Sequence, residues 1–351
     1  MGSLFFTYYL RNDFQDCFEF AGIQSENLAN SVESGHKISI YGGLILLVAM
    51  GVLFFIISLV KRLSIIRKLL KEKEQALDLI AQQKAALELR EKSITDSLIY
   101  AQRIQEARLP SEEYLRNHFA SSFIFFKPKD IVSGDFYWIG EKGGRIFVVA
   151  ADCTGHGVSG ALMSMIGMEI IEKAIVEDNI ETPSVILDAL NRGLEKTFSR
   201  KKNIGTIIRD GMDVGLCIVD KKNRKIIFSG AFFPLYLLRN KSLTQINSDR
   251  IIIGMNPSRI PYTDHEIDIQ EDDMFYLFSD GYVDQFGGKE NRKFMYRRLR
   301  YLFLNIHEFD VKDQKSILDE NIRIWMGTNP QVDDMMIIGF KPLEKVVKGP
   351  V

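Results

Sequence analysis

Residues 38–60 read ISIYGGLILLVAMGVLFFIISLV, 23 consecutive positions without a charged side chain. Wound as a helix the run is about 34 Å long, enough for a bilayer hydrocarbon core of roughly 30 Å. It predicts a membrane span rather than a buried core helix, because core segments this apolar usually stop at about 14 residues. A signal peptide would carry its basic cluster before a shorter apolar run, whereas here Lys61, Arg62, Arg67, Lys68, Lys71 and Lys73 follow a long one. Basic residues stay on the cytoplasmic side, so the sequence predicts a single-pass arrangement with residues 1–37 outside and the rest of the chain inside. An outer segment of 37 residues is too short to build a substantial core.

The 45 Lys and Arg residues stand against 46 Asp and Glu. That balance gives no basic excess for nucleic-acid phosphates, so a nucleic-acid binder is disfavoured. Cys17, Cys153 and Cys217 are too widely spaced for a thiolate zinc site or a disulfide framework.

Residues 61–108 contain neither Pro nor Gly and read as one charged helix, closed by Pro110. Alternating steps of three and four residues from Leu63 pick out Leu63, Ile66, Leu70, Lys73, Leu77, Ile80, Lys84, Leu87, Glu91, Ile94, Leu98, Ala101 and Gln105, of which nine are apolar. This narrow stripe suits a parallel two-stranded coiled coil and predicts a homodimer through residues 63–105, weakened at Lys73, Lys84 and Glu91. The alternative is an amphipathic helix lying on its own catalytic domain. The polar SEEYLRNH stretch after Pro110 reads as a boundary.

From Phe119 the texture changes to short β-rich runs: SSFIFFKP, DFYWIG, RIFVVAAD, MDVGLCIVD, KIIFSGA, PLYLLRN, MFYLFSD and MMIIGF. Segments of helical texture lie between them at 158–177, 183–199, 290–307 and 312–326. The KKN and RNKS turns predict hairpins, hence a largely antiparallel α/β sandwich. The domain organisation expected is an outer segment 1–37, a span 38–60, a signalling helix 61–108, a folded domain 119–342 and a tail 343–351.

Acidic residues recur where these runs end or begin. Asp135 opens DFYWIG, Asp152 closes RIFVVAA, Asp280 closes MFYLFS, and Asp333 and Asp334 precede MMIIG. One Asp at a strand end is ordinary turn chemistry, but the repetition predicts a shared edge where carboxylates gather. Such an all-oxygen set suits Mg²⁺ or Mn²⁺ without His or Cys. The GHGVSG segment at 155–160 fits G-x-G-x-x-G after a strand, yet the second parallel strand that a dinucleotide fold requires does not follow. The glycines are read instead as a tight strand-to-helix turn.

Taken in order, IVSGDFYW (131–138), VVAADCTGHGVSGALMS (148–164), DGMDVGL (210–216), FSGAFFP (228–234), DMFYLFSDGYVDQFGG (273–288) and VDDMMIIG (332–339) resemble the bacterial SpoIIE-type branch of the protein phosphatase 2C superfamily. The resemblance spans about residues 119–342. It implies two antiparallel sheets flanked by helices, a two-metal centre between them holding Mn²⁺ or Mg²⁺, and hydrolysis of phosphoserine or phosphothreonine in a protein. Carried across, Asp135, Asp152, Asp280 and Asp333 become the metal-binding and catalytic carboxylates, and Cys153 contributes its backbone carbonyl. The sequence leaves the choice between Asp333 and Asp334 open. Two cations would activate water and neutralise phosphoryl charge, so no protein nucleophile is needed.

Cys153 is therefore read as a bystander through its thiol, since no Arg-bearing phosphate loop accompanies it. His156 is read as a turn residue, with a general-acid role as the alternative. Asp213 either orders the metal loops or simply starts its strand. Ser159 and Met336 depart from residues common in the family, without removing a metal oxygen. The implied substrate is a phosphorylated anti-anti-sigma regulator of the STAS type, and the implied location is the bacterial inner (cytoplasmic) membrane with the catalytic domain in the cytoplasm. The helix Ser93–Arg108 leads directly into that domain, which predicts that its rearrangement moves a metal ligand. Two other classes compete. A catalytically silent phosphoprotein-binding scaffold would have lost its metal carboxylates. A sensor kinase would carry a phospho-accepting His on the helix, and no His occurs between Lys37 and Asn117.

Overall fold

The apolar run and the charged stretch after it form one helix, α1 (Lys37–Arg108), in a computed structural model that describes residues 37–199, 210–256 and 260–343. Of the expected outer segment 1–37 only Lys37 is described, and the tail beyond residue 343 lies outside the described residues. The chain divides into two compact units, Met1–Glu91 and Lys92–Val351.

In the first unit, α1 is the helix among the described residues that is long and apolar enough to cross a membrane, its most apolar window having a mean hydropathy of 2.9. Leu63, Ile66, Leu70, Leu77, Ile80 and Leu87 are all at least 40% exposed, so this stretch of the stripe is uncovered.

In the second unit the last turns of α1 are followed by α2 (Glu112–His118), which the sequence reading took for a polar boundary. Ser111 caps it, its hydroxyl accepting the Tyr114 N–H, while Leu115 is buried. Twelve strands follow among the described residues. β1 (Ser122–Lys127), β12 (Met335–Phe340), β9 (Met274–Phe278), β6 (Leu235–Arg239) and β7 (Ser242–Ile246) form one sheet in that order. β2 (Phe136–Lys142), β3 (Arg145–Cys153), β4 (Met212–Asp220), β5 (Lys225–Ala231) and β8 (His265–Asp268) form the other. Every pairing in both sheets is antiparallel. A small hairpin joins β10 (Phe286–Gly287) to β11 (Arg292–Lys293).

Strand side chains alternate between faces, and here both faces of each sheet are covered. Tyr137, Ile139, Val148, Ala150, Cys217, Phe275, Leu277 and Ile338 fill the space between the sheets. Phe136, Trp138, Phe147 and Val149 point the other way, onto α3 (Gly157–Glu172), its π-helical extension Lys173–Glu177 and α4 (Pro183–Ser199). The outer face of the first sheet, with Phe123, Tyr276 and Ile337, packs on α6 (Tyr296–Ile306) and α7 (Val311–Met326) through Leu299, Phe303, Leu318 and Ile322. The result is a four-layer arrangement of helices, sheet, sheet and helices: the strand texture predicted a largely antiparallel sandwich, and the family resemblance implied the two sheets and their flanking helices. The helical texture expected from residue 290 begins only at Tyr296, because Arg292 and Lys293 belong to the hairpin and Met295 takes a positive φ of 75°.

Phe275 is fully buried between the sheets. Phe275→Ala is expected to destabilise the second unit by about 3–5 kcal/mol in urea melts, the range for a large ring deleted from a packed core.

Candidate metal centre

The alternation that builds the core also aims the acidic residues. Val148 and Ala150 face the inter-sheet space, so Asp152, two residues further along β3, lies on the same face. Cys217 faces that space from β4, which places Asp213 on the same side. Asp152 and Asp213 are direct cross-strand partners. Asp135 precedes β2 on the parity of Tyr137 and Ile139, and Phe136 pairs with Ala151 beside Asp152. From the opposite sheet, Asp280 follows β9 and opens the single-turn helix α5 (Gly281–Asp284), while Asp333 and Asp334 precede β12 next to it.

Glycine permits this approach. A Cβ at Gly281 would collide with the carbonyl oxygen of Asp334. A Cβ at Gly160 would collide with the Gly155 carbonyl and with Gly134, so the GHGVSG turn packs directly on the segment that leads to Asp135.

The carboxylates interact strongly across the gap. Asp135 is 2% exposed, and burial, followed by the charge of Asp152, holds it well above the usual carboxylate range. The Ser279 hydroxyl acts in the opposite sense, donating to Asp135 Oδ2 at 2.6 Å. Burial, then Asp280, Asp333 and Asp213, likewise raise Asp152. Asp213 is pushed up to about 7 by burial and Asp280. Asp280 is pushed up to about 6 by burial, Asp284 and Asp333, with Lys293 opposing. Asp152 therefore lies within electrostatic reach of Asp135, Asp213, Asp280 and Asp333. Among the described residues no three His, Cys, Asp or Glu side chains close on a common point at ligand spacing.

The neighbouring acids have distinct partners. Asp334 is buried and both its oxygens are engaged, Oδ1 accepting the Lys129 N–H and Oδ2 the Gly134 N–H, each at 2.7 Å. Asp333 Oδ1 accepts the Asp334 N–H at 2.9 Å. The Cys153 side chain is buried on the helix-facing side, away from the gap, and its carbonyl oxygen faces Gly134. His156 lies beyond the turn, Nδ1 at 2.7 Å from Asp130 Oδ2, with both side chains largely exposed. As a donor set the gap offers carboxylates and a carbonyl, which fits Mg²⁺ or Mn²⁺ and not a thiophilic ion.

Three contributors escaped the sequence reading. Asp213 was seen only as a possible loop organiser, but its register opposite Asp152 makes it part of the acidic cluster. Ser279 joins the sheets by donating to Asp135 and accepting the Met336 N–H at 3.0 Å. Gln105, the last stripe position of α1, is 5% exposed. Its Nε2 donates to the Ser133 carbonyl at 2.7 Å and to Ser164 Oγ at 2.8 Å, and its Oε1 accepts the Ser133 N–H at 3.0 Å. The helix end thus grips the backbone two residues before Asp135.

The Stage II sporulation protein E (SpoIIE) family matches residues 142–342. Among solved structures, the SiaA-PP2C domain of Pseudomonas aeruginosa is 32% identical, with 72% of this chain and 98% of that one covered at a TM-score of 0.65. The structure of the PP2C phosphatase domain and a fragment of the regulatory domain of SpoIIE from Bacillus subtilis is 16% identical, covering 63% of this chain and 62% of that one at a TM-score of 0.51, a likeness of fold. No curated protein sequence matches the chain significantly.

Two outcomes follow from the site's geometry. Gln105→Ala strands the buried Ser133 N–H and leaves its carbonyl only the longer 3.5 Å contact from Ser164 Oγ, so urea melts should register a loss of about 1–3 kcal/mol. Gln102→Ala, nearer the surface, should stay within about 0.5 kcal/mol. In chelator, the raised Asp213 and Asp280 keep protons in the folded state that the unfolded chain has already released. Stability should therefore fall as pH rises from about 4 to about 7, by roughly 1–3 kcal/mol, and Asp213→Asn should flatten the slope.

Proposed function

Since this chain belongs to the SpoIIE family of PP2C-like proteins, we propose that it is a metal-dependent protein serine/threonine phosphatase anchored in a bacterial cytoplasmic membrane. What supports the reading is the electrostatic reach of Asp152 to Asp135, Asp280 and Asp333, carboxylates that leave the facing edges of the two sheets. These four would hold two Mn²⁺ or Mg²⁺ ions, together with the carbonyl oxygen of Cys153. Asp333 is favoured over Asp334 as the ligand because both Asp334 oxygens are already engaged by backbone N–H groups. When bound, the ions supply a water acidified toward neutral pH and positive charge for the phosphoryl oxygens. The chain's own residues do the positioning. Asp334 ties Lys129 and Gly134 to the start of β12, Ser279 orients Asp135, and Asp213 adds negative charge beside Asp152. A silent phosphoprotein-binding scaffold is disfavoured because none of the proposed ligand carboxylates has been replaced.

The substrate class follows from the family resemblance: a phosphoserine or phosphothreonine on a regulatory protein, of the anti-anti-sigma STAS type. In this reading the apolar part of α1 is the anchor, and the basic residues after it support a cytoplasmic catalytic unit. The exposed stripe Leu63–Leu87 pairs two copies as a coiled coil. Gln105 gives that helix a grip on the Asp135 segment, so a change in the helix reaches the metal centre through Ser133.

A Lys92–Val351 protein with Mn²⁺ is expected to release phosphate from a phosphoserine peptide, and both chelator and Asp152→Ala should reduce turnover to background. Turnover that resists chelator would contradict the reading. In the full chain, Leu77→Lys with Leu87→Lys should convert a dimer to a monomer by light scattering and alter the rate. A monomer with unchanged rate would remove the helix from the control of hydrolysis.

A further inference from the structure

Asp213 lies across from Asp152, and Asp284 lies one turn from Asp280, so carboxylates beyond the four proposed ligands crowd the approach. A phosphoryl dianion arriving from solvent is repelled by them unless a cation stands alongside. The hairpin β10–β11 supplies one. Phe286 pairs with Lys293, the Phe294 N–H donates to the Gln285 carbonyl at 2.9 Å, and the Met295 N–H donates to the Val283 carbonyl at 2.7 Å, so the returning strand is fastened alongside α5. Lys293 Nζ donates to Asp284 Oδ2 at 2.6 Å. Asp284 lies one helical turn from Asp280, its N–H donating to the Asp280 carbonyl at 2.9 Å, which brings the two side chains onto one face. The ammonium is consequently held beside a proposed metal ligand while 43% of the Lys293 side chain stays open to solvent. An ammonium has three N–H donors and Asp284 Oδ2 takes one, leaving two for an anion.

We propose that Lys293 is the phosphate-binding cation of this site, held at the solvent side of the aspartate gap by Asp284 and donating a charge-assisted hydrogen bond to a non-bridging oxygen of the substrate's phosphoryl group. The assignment rests on the phosphatase reading. Lys293 binds and orients the phosphoryl group and transfers no proton. Removing it raises KM and weakens inhibition by the product, inorganic phosphate, while the chemical step is largely retained. Arg preserves the charge and the donors.

The test uses the full chain in detergent with Mn²⁺, a phosphoserine peptide as substrate and inorganic phosphate as inhibitor, comparing wild type with Lys293→Met, Lys293→Arg and Asp284→Asn. The expected result is a KM and a phosphate inhibition constant each raised about tenfold in Lys293→Met, the loss of one charge-assisted contact. In the same variant kcat should stay within about threefold, and Lys293→Arg should restore both constants to within about threefold. Lys293→Gln replaces the Met variant should the latter fail to fold. If Lys293 only latches the hairpin, Lys293→Met alters KM while the phosphate inhibition constant keeps its wild-type value, which overturns the proposal; Asp284→Asn, which leaves the ammonium in place but untethered, is expected to raise both constants by less than Lys293→Met does. Unchanged KM and phosphate inhibition in an active Lys293→Met protein overturn it as well and leave the phosphatase reading standing. A wild type with no Mn²⁺-dependent turnover brings down both.

Discussion

Several aspartates stand within electrostatic reach of Asp152 where the two sheets end, and much of the second unit is arranged around that conflict. Two sheets with apolar residues on both faces place Asp135, Asp152 and Asp213 at one edge from one side and Asp280, Asp333 and Asp334 from the other. Burial and mutual repulsion raise the first pair well above the ordinary carboxylate range. Buried like charges of this kind are costly for stability and persist where positive charge is to be received. The glycine contacts at Gly134, Gly160 and Gly281 serve the same end, since side chains there would push the carboxylate-bearing segments apart.

Polar side chains distribute that strain through the structure. Ser279 connects β9, β12 and Asp135, and Asp334 holds the segment before β2 against the start of β12. Gln105 does the same from α1, satisfying a backbone N–H and a carbonyl at once. A buried amide in that role is sensitive to position, because a small displacement of the helix leaves three hydrogen bonds unmade. The end of α1 is thus tied to the segment that leads to Asp135.

Much of this was legible in the sequence because the relevant signals are periodic. The uncharged run 38–60, the heptad stripe, the eight apolar strands and the aspartates at their ends all follow from spacing, and the ordered motifs identified the family. What escaped has physical reasons. β7 and β8 are sheet-edge strands with exposed alternate positions, so SLTQI and HEID carry no apolar run to announce them. The helix SEEYLRNH looked like a polar boundary because its single buried residue, Leu115, gives no periodicity. Gln105 read as the polar end of a fading stripe, since its partners lie 28 and 59 residues away in sequence. The choice between Asp333 and Asp334 turns on which carboxylate already has backbone donors, and adjacent letters cannot disclose that. Lys293 is likewise one of many lysines until the hairpin folds back on α5.

Divalent cations must relieve the repulsion if this description of the gap is right, and calorimetric titration of Mn²⁺ into the Lys92–Val351 unit measures that directly. The account predicts saturable binding of two ions with release of protons near neutral pH, since the raised carboxyls must ionise to bind, and loss of binding in Asp152→Asn. Absence of binding, or binding indifferent to Asp152, would contradict it.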